Sequence, residues 1–354
     1  MTKILAVSDP HVPRSAFFTA LESLNRENDV RIIDLDYERR SIRPSPSERS
    51  ISEYWGSPSQ LVEEIGDAEI LIVHRAPVTK EVVESGNRLH LIGCARGGPV
   101  NVDVDAATKR GVLVLNAPGR NADAVADFTI GMILAEARSI ARSHMGFVSK
   151  GTWRFDEKGR LAFRRGIELP GKTLGLIGFG NIGTRVATRA KGFGMRVIVH
   201  DPYVSKAVEK EYGIDLVDLD TVMSESDFVS IHARATDENR GLVGEGQIRL
   251  MKKTSIMINT ARASLLDYQA LYEALKDHRI LGAALDVYPE EPVDATSSLL
   301  KLDNVTLTPH LAGTTEEVPV RGVTIVVEDV ERHLRGEATR NVLNSELLSG
   351  SVPT

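Results

Sequence analysis

A chain of 354 residues, 42% hydrophobic but only 5% aromatic, has the length of two ordinary domains and the composition of a soluble globular protein. Its formal net charge is −6, with Lys and Arg scattered among Asp and Glu, which argues against a nucleic-acid partner, since that would favour a concentrated basic face. No apolar run approaches the ~18 residues of a membrane span, so no membrane partner is expected; the single cysteine, Cys94, excludes an intrachain disulfide and fits a reducing, cytoplasmic setting.

The N-terminal MTKILAVSD reads as a short strand running straight into the fold rather than as a signal peptide. Apolar runs then alternate with helical patterns as far as Leu115: KILAVS, VRIIDL, AEILIVH, LHLIGCA and VLVLNA. Strands separated by helices predict βαβ units and a parallel sheet. Cys94 ends the fourth run and is expected as a packed thiol rather than a nucleophile. Residues 37–56, YERRSIRPSPSERSISEYWG, are polar with two prolines and read as a surface insertion, either an inert loop or a lid.

From Asn121 one helical pattern runs through ADAVADFTIGMILAEARSIARSH, followed by a loop or hairpin, GTWRFDEKGRLAFRRGIELPG. A second βαβ series follows in KTLGLIGF, RVIVHD, FVSIHA, SIMINT, LGAALDV and NVTLTPH. The closing TTEEVPVRGVTIVVEDVERHLRG reads as a long amphipathic helix free to pack on either half. The fold class is therefore α/β, with two doubly wound parallel-sheet domains.

Gly178, Gly180 and Gly183 form G-x-G-x-x-G between a strand, TLGLIG, and a helical run. Glycine turns are common, so context carries the reading. The first glycine permits the tight turn, the second lets a pyrophosphate approach the backbone, and the third lets helix pack on strand. The helix N-terminus offers free N–H groups to the phosphates. Asp201 follows the next strand, eighteen residues after Gly183, where a carboxylate accepts ribose hydroxyls and repels a 2′-phosphate. NAD is the expected cofactor, and no metal is expected.

Three further segments each end a predicted strand: MINTARASLLD with Arg262, LDVYPEEP with Glu291 and NVTLTPHLAGTT with His310. In a doubly wound sheet these ends face the ligand crevice. Reduction of a 2-oxo acid needs a cation to grip the carboxylate, and a planar guanidinium grips in two places. It needs an acid for the nascent alkoxide, which imidazole supplies near neutral pH. A carboxylate beside the ring fixes its tautomer and favours its charged form. Singly, such residues are more often a surface ion pair, a solvated turn and a structural histidine; together, behind the glycine fingerprint, they read as a catalytic trio.

With these residues in place the sequence resembles the D-isomer-specific 2-hydroxyacid dehydrogenase family over nearly its whole length. LPGKTLGLIGFGNIG resembles its cofactor signature, and INTARASLLD, GAALDVYPEEP and NVTLTPHLAG its catalytic blocks, in order. The resemblance implies that Arg262 binds the substrate carboxylate and carbonyl, Glu291 partners the histidine and His310 is the acid/base. It implies a cofactor cleft lined by Asn181, Ile182, Pro202, Ala233, Thr260 and Ala261, with Asp286 and Gly313 near the carboxamide. It implies a Rossmann NAD-binding domain, residues 120–315, inserted in a flavodoxin-like substrate domain formed by 1–119 and the returning 316–354. Members are usually dimers through the cofactor domain, which makes the Trp153 hairpin the expected interface of a homodimer. The C-terminal regulatory domain of some phosphoglycerate dehydrogenases is not expected.

The substrate loop departs from the family pattern. ARGGPVNVD, residues 95–103, keeps an open backbone at Gly97 and Gly98, but Arg96 replaces a small residue and Val100 an acid; Ala263 replaces the usual glycine in the arginine block. Arg96 is expected either to add positive charge for a second anionic group of the substrate or to pair with an acidic side chain of its own fold. Arg75 stands where phosphoglycerate dehydrogenases also carry arginine, and Asn121 resembles a substrate-side asparagine of formate dehydrogenases, although formate itself is not the expected substrate. The implied activity is reversible conversion of a 2-oxo to a 2-hydroxy acid, phosphoglycerate dehydrogenase-like. The alternative is a non-catalytic NAD(H)-sensing protein resembling the related transcriptional corepressors, which keep the trio.

Overall fold

The structure, a computed structural model, describes residues 1–35, 40–41, 50–153 and 166–349. The chain divides into two compact units, Met1–Arg120 with Thr315–Thr354, and Asn121–Thr314.

In the first unit, β1 (Lys3–Ser8), β2 (Asp29–Asp34), β5 (Ile70–Val73), β6 (Leu91–Cys94) and β7 (Leu113–Leu115) form a parallel sheet in the order β2-β1-β5-β6-β7. This is the flavodoxin-like order, with its switch point between β1 and β5. Covering both faces of a parallel sheet requires near-continuous apolar strands, which is why ILIV and LIGC are buried at every position. The helix Glu317–Leu334 returns to this unit and buries Val323, Val326, Val327 and Val330 against Ile4, Ile72 and Leu91. A two-stranded antiparallel ribbon joins β3 (Arg40–Ser41) to β4 (Tyr54–Trp55).

Of the stretch 37–56, read as a surface insertion, the described end from Ser50 to Gly56 is anchored to the first unit. Ile51 and Tyr54 are buried, each 2% exposed, while Ser52 N–H donates to Val100 O and Trp55 N–H to Arg75 O. Two apolar residues supply this anchor, too few to stand out within a polar stretch. Residues 36–39 and 42–49 lie outside the described residues.

In the second unit, β8 (Thr173–Ile177), β9 (Arg196–His200), β10 (Asp215–Leu216), β11 (Phe228–Ile231), β12 (Ile256–Asn259), β13 (Gly282–Leu285) and β14 (Val305–Leu307) form a parallel sheet in the order β10-β9-β8-β11-β12-β13-β14. The chain reverses its direction of winding between β8 and β11, which fixes the ligand crevice at the C-terminal ends of those strands.

The helix expected to run unbroken from Asn121 is two helices, Ala122–Ala137 and Ile140–Lys150, separated where Ser139 takes a left-handed φ of 55°. The bend brings Arg142 back onto Glu136, with two bonds of 2.9 and 3.1 Å, and Thr306 Oγ1 donates to the same fully buried carboxylate. A buried carboxylate needs such partners, and the local periodicity does not reveal them. The second helix buries nothing: Met145, Phe147 and Val148 are exposed, and Phe147 lies 5.4 Å from the exposed Trp153 ring. Residues 154–165 of the expected hairpin lie outside the described residues.

Candidate active site

The glycine turn follows β8 directly. Gly178 has φ +100°, and a Cβ there would stand 2.4 Å from Ala233 N and 2.6 Å from His232 C. A Cβ on Gly183 would meet Gly178 O at 2.3 Å, so helix and turn close on each other only through glycine. Around Gly180 the Cβ position meets nothing within 4 Å, and this residue caps the helix Asn181–Gly192 without a side-chain cap bond. The result is an uncovered backbone at a positive helix end, the arrangement that takes a pyrophosphate. Asn181 is exposed there and Ile182 half-buried.

Asp201 fixes the neighbouring strand end to this turn. One carboxylate oxygen accepts Phe179 N–H at 2.8 Å and the other Tyr203 N–H at 2.9 Å, with the exposed Pro202 between. A carboxylate held by two amides keeps lone pairs to offer ribose hydroxyls, so turn and acid together fit NAD.

His232 sits under this turn. Its ring is buried, Nε2 lies 2.9 Å from Ser230 Oγ, and Nδ1 finds no partner among the described residues. Burial pushes its pKa down to about 3, which keeps the imidazole neutral.

The candidate catalytic residues follow three adjacent strands: Arg262 after β12, Glu291 after β13 and His310 after β14. Parallel pairing carries all three to the same edge as the glycine turn. Glu291 and His310 meet, with His310 Nδ1 2.7 Å from Glu291 Oε2, while Glu291 Oε1 accepts Tyr288 N–H at 2.9 Å. Both open onto a cavity of about 440 Å³ walled by Pro292, Val293, Leu300 and Leu307. His310 has φ 55°, a left-handed backbone rare for a side chain with a Cβ and characteristic of functional positions.

Two tyrosines, Tyr288 buried and Tyr268 half-buried, brace these loops. Tyr288 Oη donates to Leu285 O and Thr308 O, and Tyr268 Oη to Val287 O. Burial raises both phenols, Tyr288 to about 12.

Arg262 is exposed and donates from Nη1 to Ala261 O at 2.7 Å, leaving most of its fork to solvent. Asn259 fixes its backbone by donating to Arg262 O. Thr260 is 5% exposed, its hydroxyl 2.9 Å from that of Thr129; Ala261 and Ala233 are half-buried.

Asp286, expected near the carboxamide, follows β13 at the same strand edge. It is fully buried, and its carboxylate accepts Leu311 N–H at 2.8 Å, Ala312 N–H at 2.9 Å and the Thr308 hydroxyl at 2.6 Å. Its role is to clasp the loop that carries His310. Gly313 lies at the end of that loop, where a Cβ would come within 2.7 Å of Asn121 Nδ2.

In the first unit, Gly97 and Gly98 are exposed after β6. Arg96 is 8% exposed and bound to Glu53, through the carboxylate and through O at 3.1 Å. Of the two roles weighed for Arg96, this geometry is the ion pair within its own fold. Arg75 is half-buried, its N–H donating to Asp9 Oδ2 at 3.1 Å. Cys94 is a packed thiol, raised by burial to about 11.

Residues 130–312 match the family model for the D-isomer specific 2-hydroxyacid dehydrogenase, NAD binding domain. The chain is 45% identical over 287 residues to D-3-phosphoglycerate dehydrogenase of Methanocaldococcus jannaschii, covering 80% of this chain and 53% of that one. It thus spans about half the length of this relative and of D-3-phosphoglycerate dehydrogenase of Archaeoglobus fulgidus. Glyoxylate reductase of Thermococcus litoralis is 37% identical over 335 residues, covering 92% of this chain and 96% of the relative. Among solved structures, the NAD complexed D-isomer specific 2-hydroxyacid dehydrogenase from Lactobacillus delbrueckii ssp. bulgaricus superimposes with a TM-score of 0.77 at 25% identity, covering 97% of this chain and 100% of that one. The glycine turn with its acidic strand end, the imidazole–carboxylate pair and a match across more than half of the sequence agree: this chain belongs to the D-isomer-specific 2-hydroxyacid dehydrogenase family and carries its NAD-binding domain.

Proposed function

We propose that this protein is an NAD-dependent dehydrogenase that interconverts 2-oxo acids and D-2-hydroxy acids. The observation that carries the reading is the His310–Glu291 pair, 2.7 Å apart on a left-handed turn at the edge that also bears the glycine cradle. Bound NADH supplies the hydride for reduction, and NAD accepts it in reverse. The chain's own residues handle the proton and the carboxylate. Glu291 engages Nδ1 of His310, which leaves Nε2 to give a proton to the developing alkoxide, or to take it in oxidation. Arg262, with its exposed fork, grips the substrate carboxylate and holds the carbonyl in line.

The substrates we favour are 2-oxo acids with a second anionic group, as in a phosphoglycerate dehydrogenase. Support comes from Arg75 in the first unit and from the name of the relative from M. jannaschii. The exposed Met145, Phe147, Val148 and Trp153 on one segment support a homodimer, because a contiguous apolar patch favours cover by a second copy. A lone, buried thiol suits an enzyme of the cytoplasm.

The decisive test is loss of NADH absorbance across a panel of 2-oxo acids, run in parallel with NADPH. Turnover with NADH carries the proposal. Tight NADH binding without turnover of any substrate replaces it with the corepressor-like reading.

A further inference from the structure

The first unit holds a second constellation that the proton and carboxylate chemistry above does not use. Asp9 follows β1, His74 follows β5, Arg96 follows β6 and Arg120 ends the loop after β7, so the C-terminal edge of one parallel sheet gathers them. Asp9 and His74 are 3% and 2% exposed. The carboxylate is fully engaged: Oδ1 accepts His11 N–H and Val12 N–H at 2.8 and 2.9 Å, and Oδ2 accepts Arg75 N–H at 3.1 Å and faces His74 Nδ1 at 2.8 Å.

This arrangement dictates the histidine tautomer. A carboxylate only accepts, so Nδ1 carries the proton and Nε2 presents its lone pair. Arg120 Nη1 lies 3.3 Å from Nε2 and donates to it. Burial, with Arg120 and Arg75 nearby, lowers the His74 pKa, so the ring orients the guanidinium without neutralising it.

Arg120 lacks what buried cations ordinarily have. Among the described residues none of the carboxylates forms an ion pair with it; Asp9 is committed to His74 and Glu53 to Arg96. Burial and the neighbouring Arg96 and Arg75 pull its pKa down to about 10. Arg321 brings a fourth guanidinium, donating to Arg120 O at 2.9 Å. A cation desolvated in like-charged company is costly unless an anion joins it, and Arg120 remains partly exposed, so an anion can reach it.

We propose that Arg120 is the receptor for an anionic group and that the buried His74–Asp9 pair is the device that aims it. The chemistry recognised is a phosphate- or carboxylate-class oxyanion, arriving either as the second acidic group of a 2-oxo acid or as a free ion. The first source rests on the dehydrogenase reading; the second does not. Arg120 is then a specificity residue, and His74 and Asp9 are positioning residues.

The experiment has two arms on the full chain. In the first, the specificity constant for 3-phosphohydroxypyruvate is divided by that for hydroxypyruvate. Loss of a charge-assisted contact lowers this ratio by ~10–100-fold in Arg120→Gln, with a smaller fall in Arg120→Lys. His74→Phe moves the ratio the same way, whereas a merely structural histidine lowers both constants alike. In the second arm, inorganic phosphate raises the melting temperature of the wild-type protein without cofactor, and the rise disappears in Arg120→Gln. A ratio that falls identifies the substrate's own group as the ligand. An Arg120-dependent phosphate shift with an unchanged ratio identifies a free ion. No phosphate shift in the wild type together with an unmoved ratio overturns the proposal. If no 2-oxo acid is turned over, the dehydrogenase reading fails and the phosphate arm alone decides the site.

Discussion

His310 is held twice, by its ring to Glu291 and by a backbone in the left-handed region. The two constraints leave Nε2 as the free face of the imidazole. His310→Ala is expected to slow turnover by ~10²–10⁴-fold, the range for a lost general acid/base, with NADH affinity measured by fluorescence titration little altered. A collapse of NADH binding in that variant would make the histidine structural. Arg262 has a different dependence. Its exposed guanidinium donates to its own neighbour's carbonyl and keeps a planar fork for the substrate. Arg262→Lys preserves charge and loses the two-point grip, so kcat/KM for every 2-oxo acid should fall by about tenfold or more. Equal constants in the two proteins would remove the grip from the mechanism.

Among elements, the strand ends matter most, and they were the most legible. A parallel strand buried on both faces must be a short apolar run, so β5, β6, β8, β11, β12 and β13 stand out in the sequence, and polar residues placed just beyond them fall at one edge. That logic is why the Glu291–His310 contact could be anticipated from spacing. What Asp286 binds within the protein was not legible, because its identity alone does not say which way its carboxylate is spent. Only the fold shows three donors from residues 308–312 converging on its carboxylate. Asp286→Asn trades an acceptor for a donor among those donors. It should cost ~1–3 kcal/mol in urea unfolding and lower kcat by displacing His310, and an unchanged kcat would deny the clasp a catalytic consequence. The break at Ser139 was equally hidden, because the buried Glu136 carboxylate it accompanies is satisfied in part by Thr306, a contact distant in sequence that local periodicity does not encode.

At the scale of the whole molecule, buried titratable groups tie stability to pH. His232 is neutral when folded, its pKa near 3, whereas an unfolded histidine titrates near 6.5. Below that upper value the unfolded chain binds the extra proton, so stability drops as pH falls, by ~1.4 kcal/mol per unit from this group alone. Replacing His232 with Asn should flatten the acid limb of the denaturation free energy between those values; an unaltered slope would mean the ring is protonated in the native state. Cys94 gives a second global readout. Its buried thiol, raised to about 11, should resist iodoacetamide at neutral pH and react only as fast as the chain unfolds. Labelling faster than global unfolding would expose a local opening of β6. The cluster around Arg120 was invisible at this scale for a simple reason: Asp9, His74, Arg96 and Arg120 are far apart along the chain, and only the order β2-β1-β5-β6-β7 makes them neighbours.

The seven-stranded sheet ends on β10 and β14, of two and three residues. Margins so brief offer almost no ladder of unsatisfied amides for another polypeptide to extend. Lateral fibre-like growth through this unit is thereby discouraged by geometry, and assembly of further copies is left to side-chain complementarity, which a few surface substitutions can tune without touching the backbone hydrogen bonding.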